Sequence, residues 1–284
     1  MKTRGDEFAI RHVLVAMDGS FQSIAALELA TELAAAAKAE LQGIFVQDDQ
    51  LLRLATSPHA REVLYPAARQ RPVDTASMEQ ALHAQAEQAR KAFLTSAQCA
   101  RLRWSFRVVR GNVTAEVLAA ASGADVLALG KSGYSLAQGM HLGSTALAVA
   151  RSAPRAVLLV HRGVRSQRQV IVLDDGSAAA LDLLKAGARL ADVYGNTLIV
   201  LILKSAANDG KRLENETYKA IRQARALHLR IRRLTHDNAV SIAHAVQSEG
   251  GGILLLQDGL YAPDTIKELL RRLDTPIMLV HQPE

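Results

Sequence analysis

Cysteine, aromatic residues and long apolar runs are all scarce in this chain. Its 284 residues include one cysteine, Cys99, and one tryptophan, and only 4% are aromatic. A single cysteine excludes an intrachain disulfide framework and suits a reducing compartment. No apolar run approaches the roughly 18 to 20 residues that span a bilayer. The first residues, MKTRGDEFAIRHV, carry charges where a secretory signal needs an uninterrupted apolar core. The expectation is a cytoplasmic protein without a membrane partner. The histidines have no metal-ligand spacing, no GxxxxGK[ST] phosphate loop is present, and no acid and base pair stands out. An efficient ATPase is therefore not expected, and no catalytic residue is assigned.

The composition, 49% hydrophobic and 22% charged, is that of a globular protein long enough for two domains with separate cores. The net charge of +6 raises the question of a nucleic-acid partner, with Arg222, Arg225, Arg230, Arg232 and Arg233 as the densest basic stretch. No nucleic-acid module or interleaved aromatic platform accompanies them. They read as solvated positions on a helix and a neighbouring strand.

The most informative segment begins at Gly130. The apolar run Ala124-Asp125-Val126-Leu127-Ala128-Leu129 reads as a buried parallel strand, and the residues after Ser144 read as a helix. Between them lie Gly130, Lys131, Ser132 and Gly133, then Gly143, Ser144 and Thr145, in the spacing GxxGx9G[ST]. Glycine lets backbone N–H groups approach a phosphate without a side chain intervening. A helix starting at Ser144 adds free amides and the positive end of its dipole. The chemistry points to a nucleotide.

Internal comparison shows a repeat. Val13-Leu14-Val15-Ala16-Met17-Asp18-Gly19-Ser20 aligns with Val170-Ile171-Val172-Leu173-Asp174-Asp175-Gly176-Ser177. Val157-Leu158-Leu159-Val160-His161 aligns with Ile277-Met278-Leu279-Val280-His281. Each half alternates strand and helix, which predicts α/β architecture: two tandem doubly wound domains, each a five-stranded parallel sheet flanked by helices. Expected strands lie at 41–47, 103–109, 197–203 and 229–234. Ser20 and Ser177 are placed to cap the first helix of each half, and 78–98 reads as a further helix. The polar connection 162–169 sets the boundary near 165, giving domains 1–165 and 166–284. The closing strands 157–161 and 277–281 are expected to pair with each other, since exposed apolar edges need covering. A homodimer of whole chains remains open.

The GxxGx9G[ST] spacing, with the first strand ending in Asp18 and the domain closing on an apolar strand, resembles the ATP-binding signature of the universal stress protein family. The resemblance implies strand order 3-2-1-4-5 and an adenine nucleotide, ATP with Mg2+, as ligand. Ala16 and Asp18 would lie beside the nucleotide, and Val46 would offer backbone contacts to adenine. Leu129 and Gly130 would follow the ribose, and Gly133, Gly143, Ser144 and Thr145 would enclose the phosphates. With that order, strands one and four meet where the strand order reverses, and Asp18 and Gly130 flank one crevice. Asp18 would hold the metal or polar groups of the nucleotide, or else simply make the turn with Gly19. Lys131 departs from the family pattern of a small hydroxyl residue; it would add charge at the phosphates or point to solvent. His141, in the same loop, would approach the phosphates or lie on the surface.

The second half reads Gly252 to Asp264 at the matching place and lacks the glycine constellation. Nucleotide is expected in the first domain only, the second serving as a structural and dimerising copy or taking a different ligand. Residues 50–75 have no counterpart in the second half. Pro58, Pro66 and Pro72 break any long helix there, leaving a partial lid or a surface excursion. Three functions compete: a nucleotide-dependent regulatory or stress-response protein acting on an unknown protein partner, a slow ATP hydrolase, and a non-enzymatic interaction module gripping a protein or nucleic acid.

Overall fold

The computed structural model describes residues 9–57, 61–64, 69–72, 74–131, 144–161, 167–203, 227–257 and 263–281, with side chains omitted at 62–72, 144, 151 and 263. The first half runs β1 (His12–Met17), α1 (Phe21–Ala37), β2 (Glu40–Asp48), α2 (Asp49–Ala55), β3 (Arg61–Leu64), β4 (Arg69–Pro72), α3 (Thr75–Cys99), β5 (Trp104–Gly111), α4 (Val113–Ala121), β6 (Val126–Gly130), α5 (Ser144–Ser152) and β7 (Ala156–Val160). The second runs β8 (Val170–Asp174), α6 (Ala178–Tyr194), β9 (Thr197–Ile202), β10 (His228–Arg233), α7 (Ala239–Ser248), β11 (Ile253–Gln257), α8 (Pro263–Arg272) and β12 (Ile277–Val280). The expected boundary near 165 and the expected second-half helix between β9 and β10 lie outside the described residues.

Ten strands form one sheet in the order β10-β9-β8-β11-β12-β7-β6-β1-β2-β5. Within each half of this sheet every pairing is parallel, and each half has the 3-2-1-4-5 order that the family resemblance implies. The halves join through an antiparallel pairing of the two closing strands, with Ile277 opposite Leu159 and Leu279 opposite Val157. All five residues of β7 are buried, as are Ile277, Met278 and Leu279 of β12, so this seam is core rather than edge.

Strand periodicity sorts the side chains into two layers. Val13, Val15 and Met17 of β1 point to one apolar layer with Val170 and Val172 of β8, under α1, α3 and α6. Leu14 points to the other with Ile171 and Leu173, under α4, α5, α7 and α8. Each layer crosses the β7–β12 seam without a break. The helices start where the sequence places their caps: the Ser20 hydroxyl accepts from Ser23 N at 3.1 Å and that of Ser177 from Ala180 N at 3.0 Å, each worth about 1 kcal/mol. Lys38 ends α1 in the left-handed region, at φ 55°.

The 50–75 segment is more regular than its prolines suggest. Asp48 caps α2 by accepting from Gln50 N at 2.9 Å, and Asp49 pairs with Arg53 one turn on at 2.8 Å. After α2 the chain forms an antiparallel hairpin, Arg61 opposite Pro72 and Leu64 opposite Arg69. Pro72 occupies the end of its strand, where a missing N–H costs the ladder nothing.

Candidate functional site

The carboxyl ends of β1 and β6 are neighbours, with Val13, Leu14 and Val15 in register with Val126, Leu127 and Ala128. From β1 the chain proceeds to β2 on one side, while β6 lies on the other, so these ends form the reversal point of the first half. Asp18 and Gly130 leave the sheet side by side there.

Asp18 is exposed, and its Oδ1 accepts from Ser20 N at 2.8 Å. This is the turn by which β1 enters α1, with Gly19 at φ 78°. Asp175 makes the same bond to Ser177 N at 3.0 Å in the half without the phosphate glycines. The Asp-Gly-Ser geometry thus has a structural role wherever it occurs, and Asp18 can perform it with one oxygen. Buried Asp174, just before it, accepts from Gly176 N at 2.9 Å.

Gly130 is fixed by packing. A Cβ there would lie 2.7 Å from Cβ of Gln22 and 3.0 Å from its carbonyl carbon, so β6 touches the first turn of α1 through a bare backbone. Leu129, buried, points to the opposite layer, which Ala16 and Val46 also pack against. Ser144 opens α5 and Thr145 follows it, half-buried. Gly133, Gly143 and His141 lie outside the described residues.

Lys131 takes neither of its expected places. Its side chain is 4% exposed, and Nζ donates to the carbonyls of Leu270 at 3.1 Å and Leu273 at 2.5 Å, at the C-terminal end of α8 in the other half. Unmatched carbonyls and the negative end of the helix dipole converge there, which suits an ammonium. Burial lowers the Lys131 pKa to about 8, while the Asp274 carboxylate pulls it upward. Asp274 also faces His161, at the end of β7, with 3.5 Å between Oδ1 and Nδ1. No local sequence signal marks this contact, because its partners lie 139 and 142 positions away.

In the second half Gln257 occupies the last position of β11, as Gly130 does in β6, and its side chain is buried. Opposite it α6 begins with Ala178, Ala179 and Ala180 where α1 has Phe21, Gln22 and Ser23. The bulk has moved from helix to strand. The connection from β11 to α8 covers only 258–262, against 131–143 between β6 and α5.

The arginines of β10 have protein partners: Arg230 and Arg232 approach the Glu249 carboxylate at 3.6 and 3.3 Å. Arg222 and Arg225 lie outside the described residues. Among the described residues no group of three or more His, Cys, Asp or Glu is arranged to hold a metal ion, and no helix is long and apolar enough to cross a membrane.

Residues 9–161 match the model of the universal stress protein family. No curated protein matches the sequence. Among solved structures, a universal stress protein from Archaeoglobus fulgidus DSM 4304 is 15% identical, with 98% of this chain and 99% of that one covered at a TM-score of 0.74. A functionally unknown protein from Pseudomonas aeruginosa PAO1 is also 15% identical, covering 97% and 94% at 0.57. The cytoplasmic domain of a prokaryotic cation chloride cotransporter is 13% identical, covering 95% of each chain at 0.51. These likenesses are of fold. The match over 9–161, more than half of the sequence, takes in both Asp18 and the glycine motif: the chain belongs to the universal stress protein family.

Proposed function

We propose that the first half binds an adenine nucleotide, ATP with Mg2+, at the carboxyl ends of β1 and β6, and that binding serves regulation in a stress response rather than catalysis. The observation that supports this best is the adjacency of those ends at the reversal point, from which the chain carrying the glycine motif sets out toward α5. The free amides at the start of α5 and the glycine backbone suit a polyphosphate. Asp18, exposed and using one oxygen for the turn, suits a cation shared with phosphate oxygens, since Mg2+ is commonly held by one or two carboxylates plus phosphates and waters. The Mg2+ would neutralise phosphate charge; Asp18 would orient it.

The second half fits a role without nucleotide. Gln257 carries a buried side chain at the strand position where the first half has Gly130, and the short connection before α8 cannot wrap three phosphates. One nucleotide per chain is the expected stoichiometry. The deciding experiment is to release small molecules from protein purified without added nucleotide, identify them by mass spectrometry, and titrate stripped protein with ATP and Mg2+ in a calorimeter. Binding of one ATP that is recovered intact after single-turnover incubation supports the reading, and absence of binding overturns it.

A further inference from the structure

The residue that begins the β6–α5 connection is tied to the other half of the molecule. Lys131 follows Gly130 directly, and its own N–H donates to Val160 O at 2.8 Å, so its backbone is part of the sheet end where the nucleotide is proposed to bind. Its side chain crosses to α8 and ends on the carbonyls of Leu270 and Leu273. Beside it, His161 at the end of β7 holds Asp274 just beyond the same helix. The ends of β6 and β7 thus reach one helix terminus of the second half through Lys131 and His161.

The second half carries no lysine at the matching position of its sequence. The position matching Lys131 is Asp258, and a carboxylate cannot donate to carbonyls. A buried ammonium is costly unless its donors are met. Here it is kept on the half with the nucleotide motif.

We propose that Lys131 is a positioning residue that couples nucleotide occupancy in the first half to the C-terminal turn of α8 in the second. This rests on the nucleotide reading of the first half. A ligand that shifts the end of β6 shifts the base of Lys131, and the two carbonyl bonds transmit the shift to α8. A ligand can bias such a contact only if its affinity differs between the two arrangements.

The test is hydrogen exchange, read by mass spectrometry on the full chain, for backbone amides of α8 and residues 273–276. It compares protein without ligand and protein saturated with ATP and Mg2+, with saturation fixed by calorimetry, for the wild type, Lys131→Met and Asp274→Asn. The expected result is a several-fold change in α8 exchange on ATP binding in the wild type. In Lys131→Met the same amides should exchange about tenfold faster without ligand and no longer respond to ATP. Asp274→Asn, which keeps the lysine and its carbonyls, should retain the response, so the coupling is read even if Lys131→Met fails to fold. ATP binding with no change at α8 in the wild type overturns the coupling alone. An equal response in Lys131→Met, or loss of ATP binding by that variant, also overturns it, the latter by making the lysine a ligand of the phosphates. Absence of ATP binding by the wild type overturns the nucleotide reading and the coupling together, and calorimetry distinguishes that case.

Discussion

The ammonium of Lys131 sits 3.1 Å from the carbonyl oxygen of Leu270, joining the first residue after β6 in one half to the final turn of a helix in the other. The lysine is buried, and its pKa is lowered from 10.5 to about 8. Between those values the folded protein has released a proton that the unfolded chain still holds, so stability from this group rises with pH through that window. Below pH 8 the cost of the buried charge is present in full. Urea melts at pH 7.5 and 9.5 should show the wild type gaining up to about 2 kcal/mol relative to Lys131→Met over that interval. Parallel curves for the two proteins would mean that Lys131 titrates as an ordinary surface lysine.

Gly130 is predicted to matter for the fold before it matters for any ligand. A methyl group at this position meets Gln22 at 2.7 Å and the backbone N of Ser23 at 3.1 Å, and these atoms belong to a capped helix turn. Gly130→Ala should therefore destabilise nucleotide-free protein by about 1–3 kcal/mol, the usual range for overpacking. Chemical denaturation without ATP reads this directly. Unchanged stability would show that α1 can move away from β6.

The two remaining motif glycines are expected to behave differently. If the proposed site is right, Gly133→Val and Gly143→Val each put a branched side chain on backbone that the phosphates would approach, so both should abolish ATP binding. Their melting midpoints without ligand should stay within about 2–4 °C of the wild type. Calorimetric titration and thermal melts together separate this pattern from that of Gly130→Ala. Undiminished affinity in either variant would place the phosphates elsewhere.

The strand and helix alternation, the helix caps and the pairing of the closing strands were legible in the sequence because each depends on a local or repeated pattern, whereas the strand order came with the family resemblance. β1 and β8 carry the same apolar run, Ser20 and Ser177 the same cap, and the two closing strands a matching apolar run of their own. The glycine spacing likewise points to the carboxyl end of β6. Long-range chemistry was hidden. The destination of Lys131 depends on α8, the need for glycine at 130 depends on how closely α1 approaches, and α2 depends on a cap at Asp48 within a proline-rich stretch. The bond from Ser20 N to Asp18 recurs at Asp175 in the half without the glycines, so it belongs to the Asp-Gly-Ser turn that the repeat itself displays.

A second polar tie between the halves offers a test of how firmly they are joined. Tyr194, at the end of α6 and 2% exposed, hydrogen bonds through its hydroxyl to the Glu32 carboxylate on α1, and Arg168 lies 5.3 Å from the centre of its ring. Burial and the negative charge of Glu32 raise the tyrosine pKa to about 12, which keeps the hydroxyl a donor at neutral pH. Glu32 is exposed, so water can replace the tyrosine and the net contribution of the bond is modest. Tyr194→Phe should cost about 0.5–1.5 kcal/mol, the normal range for one hydrogen bond. Glu32→Gln should cost less, because the amide oxygen still accepts. A double-mutant cycle with Tyr194→Phe and Glu32→Ala, read by urea denaturation at pH 7, should give a coupling energy of at least about 0.5 kcal/mol. Strict additivity would mean that the ring, packed between α1 and Arg168, joins the halves through its apolar surface alone.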